Sequence, residues 1–344
     1  MPRLYPVLLT TCVLVASPIT SAYEWEALPD TPPIPADNPQ TREKIELGKR
    51  LFFDPRFSAT GTVSCNTCHN LMAGGDDSRS VSMGVHGLVG PRNAPTVWNA
   101  AFHSVQFWDG RARSLEDQAK GPVVAPVEMG MNSLEAAIER VRRIPGYAAE
   151  FKQVFGGDEP VTIDNAAKAV AAYERTLITP NSPYDRYVRG DKGALTEQQI
   201  RGMKAFEQLG CIACHRGPAF DGPTMPDGRG FYISFPFHKT EYTEKYGLKE
   251  DLGRFGVTGN AGDKNKFRVP TLRNVALTAP YFHNGRVRTL NEAVRIMAPS
   301  QLHERLAEQQ IEDVVAFLNA LTGEFPEQSL PRLPATPGLT LVEE

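Results

Sequence analysis

Cysteine is scarce in this sequence, five residues among 344, and long apolar runs are scarcer. Beyond the N-terminus no stretch approaches the roughly 20 apolar residues that a helix needs to cross a bilayer, so no membrane span is expected. An excess of one charge is also missing. The 37 Lys and Arg against 40 Asp and Glu leave a net −3, which excludes the basic footprint of a nucleic-acid-binding protein. There is no low-complexity tract, and alternating strand patterns are few. The 29 glycines and 28 prolines predict many loops. What remains is an ordinary globular composition, long enough for two domains. Composition names no function.

The N-terminus reads as an export signal. Arg3 supplies a short positive segment, residues 8–16 form an apolar core too short to span a bilayer, and Thr20 and Ala22 suit a signal peptidase. Cleavage after residue 22 starts the mature chain at Tyr23 and sends it to the periplasm. Retention as an anchor, or lipid attachment at Cys12, is the alternative. Thr11 is a poor neighbour for the latter, and the apolar run continues past it.

With Cys12 removed, the other four cysteines fall as Cys65-Asn66-Thr67-Cys68-His69 and Cys211-Ile212-Ala213-Cys214-His215. Four cysteines in an exported protein would ordinarily suggest disulfides. Here both pairs share one spacing and histidine follows each at once, which is the haem c attachment signature. Cysteines three apart on a helical turn face one side and can each bind a haem vinyl group, while the next histidine turns its imidazole to the iron. A zinc half-site or a redox pair would fit one such motif. Two intact copies with no cysteine left over point to two covalently bound haems.

The chain also repeats itself. Gly48 and Phe52, ahead of the first motif, match Gly202 and Phe206 ahead of the second. Downstream, Pro95-Thr96-Val97-Trp98-Asn99 parallels Pro270-Thr271-Leu272-Arg273-Asn274. The stretch from Phe107 to Leu115 parallels that from Phe282 to Leu290. Both blocks stand 175 residues apart, a shared register that coincidence does not explain. The fold expected is mainly α: two tandem cytochrome c-like haem domains related by internal duplication, with long loops and little β. After the signal at 1–22, the first domain takes 23–185 and the second 186–325, with the boundary near 181–191. A proline-rich tail at 326–344 can pack back on the first domain. Apolar spacing predicts helices at 41–53, 133–144, 163–177, 196–209 and 308–321, with Ser133 and Thr196 as N-caps and Gly323 as a stop.

The sixth iron positions separate an electron carrier from a catalyst, because a methionine raises the potential and an open position permits chemistry. In the second domain the candidate is Met297, fourteen residues after His283; a helical methionine is otherwise core. In the first, Met83 has a weaker claim, and His86 in Met83-Gly84-Val85-His86-Gly87 can reach the haem from a mobile loop or stay at the surface. Glu128 in Val127-Glu128-Met129-Gly130 stands about where Met297 stands in the other repeat. A carboxyl there suits proton movement during O–O cleavage; a surface glutamate is the plainer reading. Trp108, matched by His283, is either packing or an aromatic between two haems.

Several segments carry a resemblance: Gln106-Phe107-Trp108-Asp109-Gly110-Arg111, Pro126-Val127-Glu128-Met129-Gly130, Arg268-Val269-Pro270-Thr271-Leu272-Arg273-Asn274 and Ala279-Pro280-Tyr281-Phe282-His283-Asn284-Gly285. Through them the chain resembles the bacterial dihaem cytochrome c peroxidases along nearly its whole mature length. The resemblance implies reduction of hydrogen peroxide to water with electrons from a small cytochrome c or cupredoxin. His215 and Met297 would ligate the high-potential, electron-accepting haem, and His69 the low-potential peroxidatic one. His86 would be the displaceable sixth ligand of that haem and Glu128 its acid/base. Gln118 would line the pocket, and Trp108 would lie between the haems. It further implies one calcium ion held by the Asn93 side chain and the carbonyls of Thr278 and Pro280 with waters, and a homodimer. It assigns nothing to segment 231–248, which holds three tyrosines and His238. Two rivals remain: a MauG-like oxidase of a protein substrate, which would have tyrosine in place of Met297, and a non-catalytic dihaem electron carrier.

Overall fold

A computed structural model describes residues 23–336, 338 and 340–342. The export signal expected at 1–22, Cys12 included, lies outside the described residues. The first half carries helices α1 (Arg42–Phe53), α2 (Cys65–Cys68), α3 (Leu115–Val124), α4 (Leu134–Arg142), α5 (Pro145–Phe155) and α6 (Ile163–Glu174). The second carries α7 (Pro183–Val188), α8 (Glu197–Gln208), α9 (Glu241–Lys245), α10 (Phe255–Thr258), α11 (Leu290–Met297) and α12 (Glu308–Asn319). Among the described residues the sheet is one antiparallel pair, β1 (Tyr232–Ser234) and β2 (Lys266–Arg268), with Ile233 opposite Phe267. The protein is mostly helical, and no described helix is long and apolar enough to cross a membrane.

Local chemistry explains the helix ends. The Thr41, Ser133 and Thr196 hydroxyls accept from the amides of Lys44, Ala136 and Gln199, satisfying donors that the first turn leaves free. Gln199 returns a bond to the Thr196 amide, completing a capping box. The helix expected at 133–144 ends at Arg142 because Pro145 forces Ile144 out of the helical region, to φ −93° and ψ 106°, and then opens α5. Gly323 is not the stop for α12, which ends at Asn319. A Cβ at Gly323 would stand 1.8 Å from the Thr179 carbonyl oxygen, so this glycine serves a close approach of two chain segments instead.

The two halves are built alike. In each, the helix ahead of the cysteine motif crosses a later helix at a glycine. A Cβ on Gly48 of α1 would fall 1.8 Å from the Ala169 oxygen of α6, and one on Gly202 of α8 equally close to the Asp313 oxygen of α12. Around the first crossing Leu47, Phe52, Ile138, Tyr147, Phe151 and Tyr173 form one core. Around the second, Tyr184, Met203, Phe206, Phe220, Phe317 and Leu318 form another. A third, smaller cluster joins Phe235, Leu248, Phe267, Tyr281 and Ile296.

The chain ends cross over between these cores. Trp25 packs on Tyr184, Phe220 and Phe317, and the Leu28 amide donates to Asp185 at 2.8 Å. The tail runs the other way: Phe325 meets Trp98 edge-on at 4.9 Å, Gln328 accepts from the Tyr173 hydroxyl, and Leu341 is buried in the first core. Through Tyr184, α7 packs with the second core, and Trp25 and Leu28 pack with it from the N-terminal end.

Candidate functional site

Both cysteine motifs fold into a single tight turn. Residues Cys65–Cys68 form a helical turn and Cys211–Ala213 a 3₁₀ turn, and all four cysteines are free. In each, the histidine amide donates to the carbonyl of the first cysteine at 2.9 Å, which fixes where the imidazole leaves the turn. The His69 Nδ1 then faces the Gly75 carbonyl at 3.3 Å and the His215 Nδ1 the Phe220 carbonyl at 3.0 Å. A histidine held so at Nδ1 presents Nε2 in a fixed tautomer, the usual support of an iron-bound imidazole. Burial pushes both imidazoles below the ordinary histidine pKa, keeping them neutral as ligation requires. Burial also raises the thiols, Cys68 to about 11 and Cys211 to about 12. They are therefore poor thiolate nucleophiles.

The second site opens on a cavity of about 230 Å³ lined by Cys211, Cys214, His215, Met297, Trp108 and His283 among largely apolar neighbours. Met297 ends α11 and faces the same space as His215. The first site borders a smaller apolar cavity formed by Cys65, Leu51, Ala119, Val123, Met129 and Val170. Paired thiols, a half-buried histidine tied at Nδ1 and an apolar lining together fit a haem at each motif.

The repeat register sharpens the contrast between the two sites. Helix α3 begins at Leu115 and α11 at Leu290, in the 175-residue register. The residue matched to Met297 is thus Pro122, not Glu128. Glu128 lies beyond the end of α3, half-buried, and is reached through a turn in which its amide donates to the Ala125 carbonyl. Burial raises the Glu128 pKa from its ordinary value, with the Arg111 charge opposing. Arg111 itself lies over the Phe107 ring at 3.4 Å and bonds Asp109. Gln118 is half-buried on α3, one residue before the cavity-lining Ala119.

His86 is exposed, at φ 56° in a 3₁₀ turn, on a small hairpin closed by bonds from Gly84 to Leu88 and from Gly90 to Ser82. The hairpin is docked on the Glu128 segment: the Val85 amide donates to the Glu128 carbonyl at 2.8 Å, and a Cβ on Gly84 would stand 2.3 Å from that oxygen. Met83 is exposed in the same hairpin.

Trp108 and His283, matched in the repeat, meet edge-on with ring centroids 6.4 Å apart. The Trp108 Nε1 donates to the Asn93 carbonyl at 2.9 Å. His283 stacks on Phe267 at 4.2 Å. It is buried with its Nε2 unpartnered, and burial holds its pKa well below the ordinary value. Asn93 is buried, its Nδ2 donating to the Arg79 carbonyl, and it lines the large cavity together with Thr278 and Pro280. Two residues here escaped the sequence reading. His283 served only as a marker, although its match to Trp108 was the available signal. Asp76 is buried with its Oδ1 unpartnered, and burial raises its pKa to about 6; nothing in its sequence neighbourhood marks it.

Comparison with known proteins agrees with this construction. A family model described as di-haem cytochrome c peroxidase matches residues 42–193. The cytochrome c551 peroxidases of Nitrosomonas europaea and Pseudomonas aeruginosa are 45% and 46% identical to this chain. Those matches span 88% and 87% of it and 86% and 84% of their own lengths. The methylamine utilization protein MauG of Methylorubrum extorquens is 36% identical over 89% of this chain and 86% of its own. Among solved structures, a MauG-like protein associated with microbial copper homeostasis matches with a TM-score of 0.73 at 31% identity, covering 92% of this chain and 99% of that one.

Proposed function

The chain belongs to the di-haem cytochrome c peroxidase family and is a peroxidase with two haem groups, and from that premise we propose how its residues divide the work. Haem c is attached through Cys65 and Cys68 in a first domain, up to about residue 185, and through Cys211 and Cys214 in a second, 186–325. His69 and His215 are the proximal ligands. Met297 would hold the second haem together with His215, and single electrons from a small cytochrome c or cupredoxin in the periplasm would enter at that site. The relatives' names support the cytochrome, and the N-terminal export pattern supports the compartment. Once bound, the haem groups supply the iron and the electron storage for splitting the O–O bond.

The protein's own residues then act at the first site. Glu128 takes a proton from bound peroxide and returns it to the departing oxygen, so that two electrons and two protons turn hydrogen peroxide into two waters. Its half-buried position and raised pKa support that role. Gln118 would serve the same site from α3, next to the cavity-lining Ala119. His86 would be a displaceable ligand of the first haem. The bond from Val85 to the Glu128 carbonyl couples any movement of its hairpin to the acid/base segment. Trp108 lies on the electron route, which its contact with His283 and its place on the second cavity support. The Asn93 Oδ1 and the carbonyls of Thr278 and Pro280 would hold a calcium ion. The unpartnered Asp76 carboxyl supports a cation nearby, since Asp76 Oδ1 and the Leu277 carbonyl both lie within 3 Å of where a Gly74 Cβ would stand.

One observation carries the reading: Met297 faces His215 across the second cavity, while Pro122 holds its place in the first. A MauG-like role would need tyrosine at 297. Stopped-flow spectra of the half-reduced protein test the proposal. A high-spin haem that reacts rapidly with peroxide is expected, and a wholly low-spin, inert protein would mean an electron carrier instead.

A further inference from the structure

Segment 231–248 comes to lie against the turn that follows Met297. The amides of Phe237 and His238 both donate to the buried Ser300 carbonyl, at 3.0 and 2.8 Å. The Gln301 Nε2 donates to the Ser234 carbonyl at 3.0 Å. These bonds bring His238 beside His303, which closes the π-helical turn Ala298–Leu302. The two ring centroids are 5.0 Å apart and the planes inclined at 50°. His303 is exposed and His238 half-buried, so water reaches both.

That spacing is compatible with two imidazoles on a shared ion. A zinc–nitrogen bond of about 2.0–2.1 Å puts each ring centroid roughly 3.2 Å from the metal, and a tetrahedral angle then separates the centroids by about 5 Å. We propose that His238 and His303 form a site for a borderline divalent cation, Zn²⁺ or Cu²⁺, with water filling the remaining positions; imidazole suits both metals. No cluster of three or more His, Cys, Asp or Glu able to hold a metal occurs among the described residues, so this is an open, exchangeable site rather than a closed structural one. The two ligands come from separate segments that backbone bonds already hold in place, so little ordering is needed on binding. An ion here ties segment 231–248 to the turn leading out of α11, and thereby to Met297.

Untagged, haem-loaded protein titrated with Zn²⁺ by calorimetry tests this. One ion per chain is expected at the site. His238→Gln and His303→Asn should each weaken it by at least roughly tenfold, since losing even a partner that only orients a ligand costs about that much. Both variants should keep the haem absorption spectrum of the parent, which shows the fold intact, and His86→Gln should bind Zn²⁺ as the parent does. A parent that takes up no Zn²⁺, or folded variants that bind it unchanged, overturn the proposal.

Discussion

At the scale of single residues, the proposed acid/base role of Glu128 turns on a balance of forces. Burial raises its pKa, while the charge of Arg111 pulls the other way. A general base must be ionised, so kcat/KM for peroxide should rise with pH through the Glu128 pKa. Removing Arg111 removes a lowering influence and raises that pKa further. Arg111→Gln is therefore expected to move the acid limb of the profile to higher pH. Asp109 keeps its partner Arg92 at 2.5 Å, so the fold should survive the change. Glu128→Gln should lose about 10²–10⁴ in the peroxide step, the usual worth of a positioned proton carrier. Steady-state profiles from pH 5 to 8 check both; a limb unmoved in Arg111→Gln would separate Glu128 from the titration that controls the rate.

Elements are positioned chiefly by two crossings that only glycine permits. Gly48 and Gly202 each face a backbone carbonyl of the partner helix, where a Cβ would stand 1.8 Å from oxygen. A backbone atom cannot swing aside as a side chain does, so the helices must part. Overpacking of this kind costs about 1–3 kcal/mol or more. Gly202→Ala should accordingly lower the unfolding temperature of the haem-loaded protein markedly. Gly256→Ala, where an added Cβ meets nothing within 4 Å, should leave it nearly unchanged. Differential scanning calorimetry of the pair decides the matter, and equal temperatures would mean that the crossing tolerates a wider gap than its geometry implies.

Across the whole molecule, the two halves are joined by a small polar seam. Asn99 and Asn274, matched in the repeat and both in left-handed conformation, donate through Nδ2 to the buried Thr179 hydroxyl at 2.8 and 2.9 Å. Beside them Arg273 and Asp185 pair at 2.9 Å, both fully buried. Losing the hydroxyl would strand two buried donors, at about 1–3 kcal/mol each. Thr179→Val should be clearly destabilised, and Thr179→Ser, which keeps the oxygen, should not. Thermal unfolding of the two variants tests this; indistinguishable midpoints would show that the seam does not depend on the shared hydroxyl. The crossed ends add to the same union, Trp25 on the second core and Phe325 with Leu341 on the first.

Much of this was legible in the residues alone, because the information was local. Cysteines three apart with an adjoining histidine, a cap three residues ahead of its partner amide, and a 175-residue echo are all visible without a fold. What stayed hidden depended on distance in the chain. Helix α3 reads as broken at Gly121-Pro122, yet it forms because its neighbours hold it. The unpartnered Asp76 carboxyl, the contact of Trp108 with His283, and the pairing of His238 with His303 all join segments whose nearness no periodicity encodes. The sequence by itself marked two places fit for haem attachment and the duplication of the chain, since covalent chemistry is written in short motifs. Only the tertiary structure decided what each site residue meets: Met297 shares a cavity with His215, and the Glu128 carbonyl holds the hairpin that carries His86. Whether a side chain faces a cavity, a carbonyl or water is set by packing between distant segments.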